Sequence, residues 1–174
     1  MTGEENIFKA LSCFTYGIYI VSSRDGDKLN GQVVNTAFQL TAKPPRVAVS
    51  IHRDNLTHSL IKKSGLFSVS VLDENTPMTF IGLFGFKSGR DTDKFSGTSC
   101  KTGVTGCPMV TDNSLAIVEA RVTQSLDIGT HTLFIGEIAG AEIIKDGTPL
   151  TYSFYREKKR GKTPKNATTY NKPE

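Results

Sequence analysis

Apolar and polar positions alternate with a period of two along most of this chain, in runs of strand length bounded by turn residues. Gly17-Ile18-Tyr19-Ile20-Val21-Ser22 is rich in β-branched and aromatic residues, and the polar Arg24-Asp25-Gly26-Asp27 after it reads as a hairpin turn. A second strand is expected from Leu29 to Thr41, stopped by Pro44-Pro45. In Arg46–His52 the alternation puts Val47, Val49 and Ile51 on one face and Ala48, Ser50 and His52 on the other. Leu66–Leu72, Leu115–Ser125, His131–Ile144 and Leu150–Phe154 complete a series of seven expected strands. Helical spacing is confined to short stretches. Ile7, Phe8 and Leu11 suit one face of an opening helix, Asn55–Lys63 a second one ended by Gly65, and Phe80, Ile81 and Phe84 a third whose first position is Pro77. Many strands and few helices predict a mainly β, antiparallel barrel, a form that leaves no exposed sheet edge.

The stretch from Gly85 to Pro108 is glycine-rich and polar, and it is too long for a bare connection in a compact domain. Loops of that kind carry function. Within its first residues, Phe84-Gly85-Phe86-Lys87-Ser88-Gly89-Arg90-Asp91 mixes aromatic rings, glycines, a hydroxyl and cations, a surface suited to a planar aromatic that bears an anion. Asn55-Leu56-Thr57-His58 supplies a second anion device, a capping residue and a hydroxyl at the start of a helix whose free N–H groups attract phosphate. His58 itself reads as a surface imidazole. The strand Asn30–Gln39 offers small residues for close approach to a ring and the side chains of Gln32, Asn35 and Thr36 for its polar edge. On periodicity alone, the same strand also reads as one with an ordinary wet face.

Composition narrows the classes of partner. The 174 residues suffice for one domain with a real core, and 37% hydrophobic with 22% charged residues is ordinary for a globular protein. The formal net charge of +4 is not spread along the chain. From Arg156 to Glu174 there are seven Lys or Arg against two Glu, a surplus of five, so the preceding body carries −1. That body also lacks Trp, and the expectation is no nucleic-acid partner. No apolar run reaches the roughly 18 residues of a membrane span, and Met1–Lys9 is polar and acidic, unlike a signal peptide, so a cytoplasmic protein is expected. Cys13, Cys100 and Cys107 lack the paired spacing of a metal site and read as idle thiols in a reducing compartment.

Taken in order, several segments resemble the flavin reductase-like family of FMN-binding split barrels. They are Tyr16–Val21, Asn30-Gly31-Gln32 with Asn35-Thr36, Pro44-Pro45 leading to Ser50-Ile51, Asn55-Leu56-Thr57, Phe86–Asp91 with Asp93-Lys94-Phe95, and Gly129–Gly136. Within the family the chain is most similar to the flavin domain of high-molecular-weight rubredoxins and to flavoredoxin. The resemblance spans about residues 10 to 155. It implies an antiparallel Greek-key split barrel over residues 1–155, followed by a basic tail, 156–174, placed where those rubredoxins continue into an iron-binding module.

The resemblance further implies that Gln32, Asn35, Thr36 and Ala37 line the isoalloxazine of FMN, with Ser50, Ile51 and His52 on the ribityl side. Asn55 and Thr57 would meet the phosphate, with Phe86, Lys87 and Ser88 completing its cradle. His131 matches a histidine beside the flavin and is the candidate catalytic residue, in contact with the nicotinamide of NADH or NADPH. Arg90 and Asp91 fit either the phosphate cradle or an internal pair that orders the loop. Hydride transfer between two cofactors needs no nucleophile or metal from the protein, consistent with a sequence that contains no such cluster. The implied activity is NAD(P)H:flavin oxidoreduction by a homodimer, with electrons passed to flavin or to an acidic redox protein such as rubredoxin. The alternative is a flavoredoxin-like carrier with little pyridine nucleotide oxidation.

Overall fold

The structure is a computed structural model in which residues 3–170 are described. Seven strands form one antiparallel sheet: β1 (Tyr19–Asp25), β2 (Lys28–Val34), β3 (Ala37–Ala42), β4 (Pro45–His52), β5 (Leu66–Leu72), β8 (Ser114–Asp127) and β9 (His131–Ile143). Their spatial order is β2-β1-β5-β8-β9-β4-β3. The two outermost strands, β2 and β3, are therefore consecutive in sequence and joined only by Asn35 and Thr36, which forces the sheet to curl until its edges meet. Because β2 and β3 do not pair, the barrel is split at that seam. The expected single strand from Leu29 to Thr41 is thus two strands on opposite edges of the sheet. The break carries no Gly or Pro. It is held by Thr36, whose carbonyl accepts from the Ser50 amide at 3.1 Å.

Alternation set the inward face of the barrel. Val21, Val34, Val49, Ile51, Phe67, Val69, Ala120 and Phe134 form one core cluster, closed from outside the sheet by Ile61 of helix α2 (Leu56–Ser64). Gly65 ends that helix in the left-handed region at φ 68°, where a side chain is disfavoured. A second cluster joins Ile18, Ile20 and Leu72 to Ile81 and Phe84 of α3 (Met78–Phe86) and to Leu150 and Tyr155. Pro77 caps α3 rather than occupying its first turn. The opening helix α1 (Gly3–Leu11) forms as expected but buries none of its residues.

Two further elements depart from the expectation. The stretch from Gly85 to Pro108 holds a small hairpin of β6 (Cys100–Thr102) and β7 (Pro108–Val110). Leu150–Phe154 does not form a strand; Thr151 makes one bridge to Gly17, then caps helix α4 (Tyr152–Glu157) by accepting from the Phe154 amide. Tyr155 lies within α4 and is buried. Residues 161–170 then fold back onto the barrel instead of extending from it, held by hydrogen bonds from Tyr155 Oη to the Lys162 carbonyl at 2.7 Å and between Tyr152 Oη and Thr163 Oγ1 at 2.6 Å. Residues 171–174 of the expected tail lie outside the described residues.

Candidate functional site

A cavity of about 620 Å³ opens between β2, α3 and the start of α2. That volume is in the range of small-ligand and cofactor sites. Its apolar wall comes from Val33, Ile81, Phe84, Phe86, Tyr152 and Tyr155. Its polar wall comes from Gln32, Asn35, Ser50 and Asn55.

Two of these polar groups are buried atoms with no hydrogen-bond partner, Gln32 Oε1 and Ser50 Oγ. A buried polar atom left unpaired costs on the order of 1–3 kcal/mol, so both are explained most simply as contacts awaiting a ligand. Cations gather around the same space: Lys87 and Arg90 from the loop after α3, and Lys162 and Lys165 from the C-terminal segment. Asp54 is the one carboxylate in the lining. Helix α2 starts at the wall, with Asn55 and Leu56 both lining the cavity, so the positive end of the helix faces the same region as the cations. Together the walls suit a flat apolar group with a hydrogen-bonding edge and an anionic end.

The loop and the helix start are tied together by Asn30, whose Nδ2 donates to the buried Thr57 Oγ1 at 2.8 Å. Gly89 packs on the other side of Asn30 so closely that a Cβ there would lie 1.9 Å from Asn30 Oδ1. Only glycine lets the Lys87–Arg90 turn approach α2. Arg90 completes the tie through Nη2 to the Asp54 carbonyl at 3.3 Å, which makes a loop-ordering contact and not an Arg90–Asp91 pair its observed bond.

Lys94 lies beneath this assembly, with 4% of its surface exposed. Its Nζ donates to the carbonyls of Gly31 at 2.9 Å and Phe84 at 3.4 Å, bracing β2 against α3 behind the cavity. Burial pulls its pKa down to about 8.

The structure brings Gln32, Asn35, Ser50, Asn55, Phe86, Lys87 and Ser88 to one cavity. Thr36 sits at the seam, with Oγ1 donating to Asn35 Oδ1 at 3.2 Å, and Ala37 packs against the core. Ile51 is wholly buried in the first core cluster, and Thr57 is buried behind Asn30. His52 and His131 lie outside the cavity lining, facing each other at the adjacent ends of β4 and β9. His58 is buried, not a surface imidazole; its Nε2 is 2.8 Å from Thr132 Oγ1, and burial, Lys62 and Arg53 lower its pKa. Asn55 precedes α2 as a cap should but makes no side-chain capping bond; its Oδ1 accepts from Asn166 Nδ2 at 2.9 Å.

Asn30, Lys94, Tyr152, Tyr155 and the segment from Lys162 are among the lining residues that the sequence did not single out. Asn30 and Lys94 stood inside matched segments, so a signal existed for both. The three cysteines are free, with Cys107 buried and Cys13 and Cys100 exposed. No group of metal-ligating side chains occurs among the described residues, and no helix there is long and apolar enough to cross a membrane.

Comparison with known proteins identifies the family. The profile of the flavin reductase like domain matches residues 11–161. The chain is 50% identical over 156 residues to a ferric-chelate reductase (NAD(P)H) of Archaeoglobus fulgidus, covering 90% of this chain and 92% of the relative. It is 48% identical over 162 residues to a high molecular weight rubredoxin of Moorella thermoacetica, covering 93% of this chain and 71% of that one. Among solved structures, the flavin reductase HpaC complexed with NADP+ superposes with a TM-score of 0.72 at 29% identity, over 86% of this chain and 92% of the other. An FMN-binding protein from Thermus thermophilus superposes with a TM-score of 0.69 at 25% identity, over 76% and 72%.

Proposed function

The chain belongs to the flavin reductase-like family, and from that premise we propose that it binds FMN in the cavity between β2, α2 and α3 and acts as an NAD(P)H:flavin oxidoreductase. The observation that carries this reading is the pairing of two unpartnered buried oxygens, Gln32 Oε1 and Ser50 Oγ, with a helix start and a cationic loop on the walls of one cavity. Gln32 and Ser50 fit a ring edge that both donates and accepts hydrogen bonds. The Asn55 end of α2, with Lys87 and Ser88, fits a phosphate dianion. The Phe84, Phe86 and Tyr152 surfaces give the ring an apolar slot. FMN in that position would take a hydride from NAD(P)H and release electrons to an acceptor, chemistry that belongs to the cofactor. The side chains bind, orient and exclude water; none needs to act as acid or base at the reacting carbon.

His131 is proposed to position the nicotinamide, since it stands at the end of β9 with its Nε2 unpartnered. NAD(P)H oxidation, rather than carriage of electrons alone, is supported by the reductase similarity along 92% of the Archaeoglobus relative. A homodimer is supported by apolar side chains that this one chain leaves uncovered: Ile7, Phe8, Leu11 and Phe14 at the N-terminus, and Phe38 and Leu40 on β3. Electrons pass on to free flavin or to a redox protein such as rubredoxin; exposed Arg156, Lys158, Lys162 and Lys165 supply charge to attract an acidic one. Three free cysteines are consistent with a cytoplasmic location.

Titration of the purified protein with FMN, followed by flavin fluorescence, tests the binding, and anaerobic mixing with NADH and NADPH tests the chemistry. Saturable quenching by FMN and bleaching of the bound flavin are expected. No change in fluorescence at any protein concentration would reject the assignment; binding without bleaching by either nucleotide would move the protein to the carrier class.

A further inference from the structure

The family profile ends at residue 161, yet the chain from Lys162 to Tyr170 lies along the cavity that the family residues form. It is compact, with turns closed by the Ala167 amide on the Pro164 carbonyl at 3.0 Å and the Tyr170 amide on the Ala167 carbonyl at 2.9 Å. Beyond its anchors on Tyr152 and Tyr155, it makes two side-chain hydrogen bonds to the cavity wall. Asn166 Nδ2 donates to Asn55 Oδ1 at 2.9 Å, and Asn35 Nδ2 donates to Thr169 Oγ1 at 2.7 Å. Both target residues are asparagines that line the cavity.

An asparagine amide has an acceptor at one end and two donors at the other. A donor placed on Oδ1 therefore decides which end stays free. With Asn166 on its Oδ1, and with no capping bond made to its own helix, Asn55 keeps its NH2 as the unengaged end at the start of α2. An NH2 there adds donors to the positive end of the helix; a carbonyl oxygen there would oppose an anion.

We propose that residues 162–170 are a strap belonging to the cofactor site, and that Asn166 is a positioning residue which turns the Asn55 NH2 toward the phosphate of FMN. This rests on the FMN assignment above. The strap is thereby part of the binding machinery and not a free tail, and the contribution of Asn166 is specific to the phosphate end of the ligand.

The test compares FMN with riboflavin, which has the same ring but no phosphate, by fluorescence titration of the full-length chain. Asn166→Ala is expected to weaken FMN binding about tenfold while leaving riboflavin binding within about twofold, since one charge-assisted hydrogen bond is lost at one end only. Because Asn166 acts through Asn55, adding Asn166→Ala to Asn55→Ala should weaken FMN by no more than about twofold further. Asn166→Asp, which retains size, accepts the Asn55 NH2 and reverses the amide; FMN binding should fall while riboflavin binding persists, and this variant carries the test if the alanine protein does not fold. Unchanged FMN affinity in Asn166→Ala, equal weakening of FMN and riboflavin, or additive loss in the double variant would each overturn the proposal. Wild-type protein that binds neither ligand would instead reject the FMN assignment.

Discussion

The imidazoles of His52 and His131 are directly paired across β4 and β9, edge to face, with ring centroids 4.9 Å apart. Two imidazolium charges at that separation repel, so a charge on His52 disfavours protonation of His131. Burial lowers the His131 pKa first, and His52 lowers it further, while the backbone of Asn166 acts the other way. His131 Nδ1 is engaged by Thr130 Oγ1 at 2.8 Å, while Nε2 is buried on the side of the ring away from that bond.

Burial and His52 hold the His131 pKa below that of a free imidazole and so favour its neutral form. Anaerobic flavin reduction by NAD(P)H should therefore keep a constant rate from about pH 7 to 8 and change only as pH falls through the His131 pKa. His131→Ala should slow the reduction about tenfold through lost orientation of the nicotinamide, and leave FMN affinity within about twofold. Stopped-flow absorbance with parallel titrations separates the two. Loss of FMN in the variant would assign His131 to the cofactor instead.

A structural prediction concerns Glu119, 3% exposed, whose carboxylate accepts from the Val104 and Thr105 amides at 2.8 and 2.7 Å and from Thr105 Oγ1 at 2.6 Å. Burial raises its pKa, but the hydroxyl and amide donors outweigh burial and hold it below 4.5. The folded state thus binds the proton less readily than the unfolded one, and the resulting stability is present above pH 4.5 and lost as pH falls through the folded pKa. Glu119→Gln should cost about 1–3 kcal/mol at pH 7. Urea denaturation from pH 7 to 3 should show the gap between the proteins closing on acidification; a constant gap would contradict the assignment.

What the sequence made legible followed from periodicity and local chemistry. The Val47, Val49, Ile51 face pointed to the core because a sheet has a fixed period of two, and Ser50 on the opposite face reached the cavity for the same reason. Leu150–Phe154 misled because five mostly apolar residues carry no period long enough to separate strand from helix; the informative signal was Thr151, a capping residue. The break at Asn35-Thr36 was invisible for want of Gly or Pro, being fixed by a bond to Ser50 in another strand. The strap was least legible. Its Lys, Pro, Asn and Thr residues read as a basic tail, and its seating depends on Asn35 and Asn55, partners more than a hundred positions away.

The dimer prediction follows from uncovered apolar surface. α1 has no buried residue, and Phe38 on the edge strand β3 is 48% exposed. An edge strand with exposed apolar side chains invites association unless something covers it. Light scattering should give twice the 19.0 kDa chain mass, and Phe38→Asp should shift the equilibrium toward monomer. A monomeric mass across a hundredfold range of concentration, with FMN present, would exclude the dimer.

Lys94 gives the last prediction. Its ammonium is bonded to two backbone carbonyls, and burial brings its pKa from 10.5 to about 8. Between those values the unfolded chain holds a proton that the folded chain has released. Stability contributed at this site therefore rises with pH through that window, because below it the buried charge opposes folding. Cys107 and Tyr155, whose pKa values are raised by burial, work in the opposite sense at alkaline pH, so the wild-type curve alone would mix the effects. Lys94→Met removes only the lysine. The stability of wild type minus that of Lys94→Met should increase from pH 8 to 10 by about 1–3 kcal/mol, measured by urea denaturation. A difference that stays flat would mean that the lysine keeps its ordinary pKa in the fold, and that water reaches Nζ behind β2.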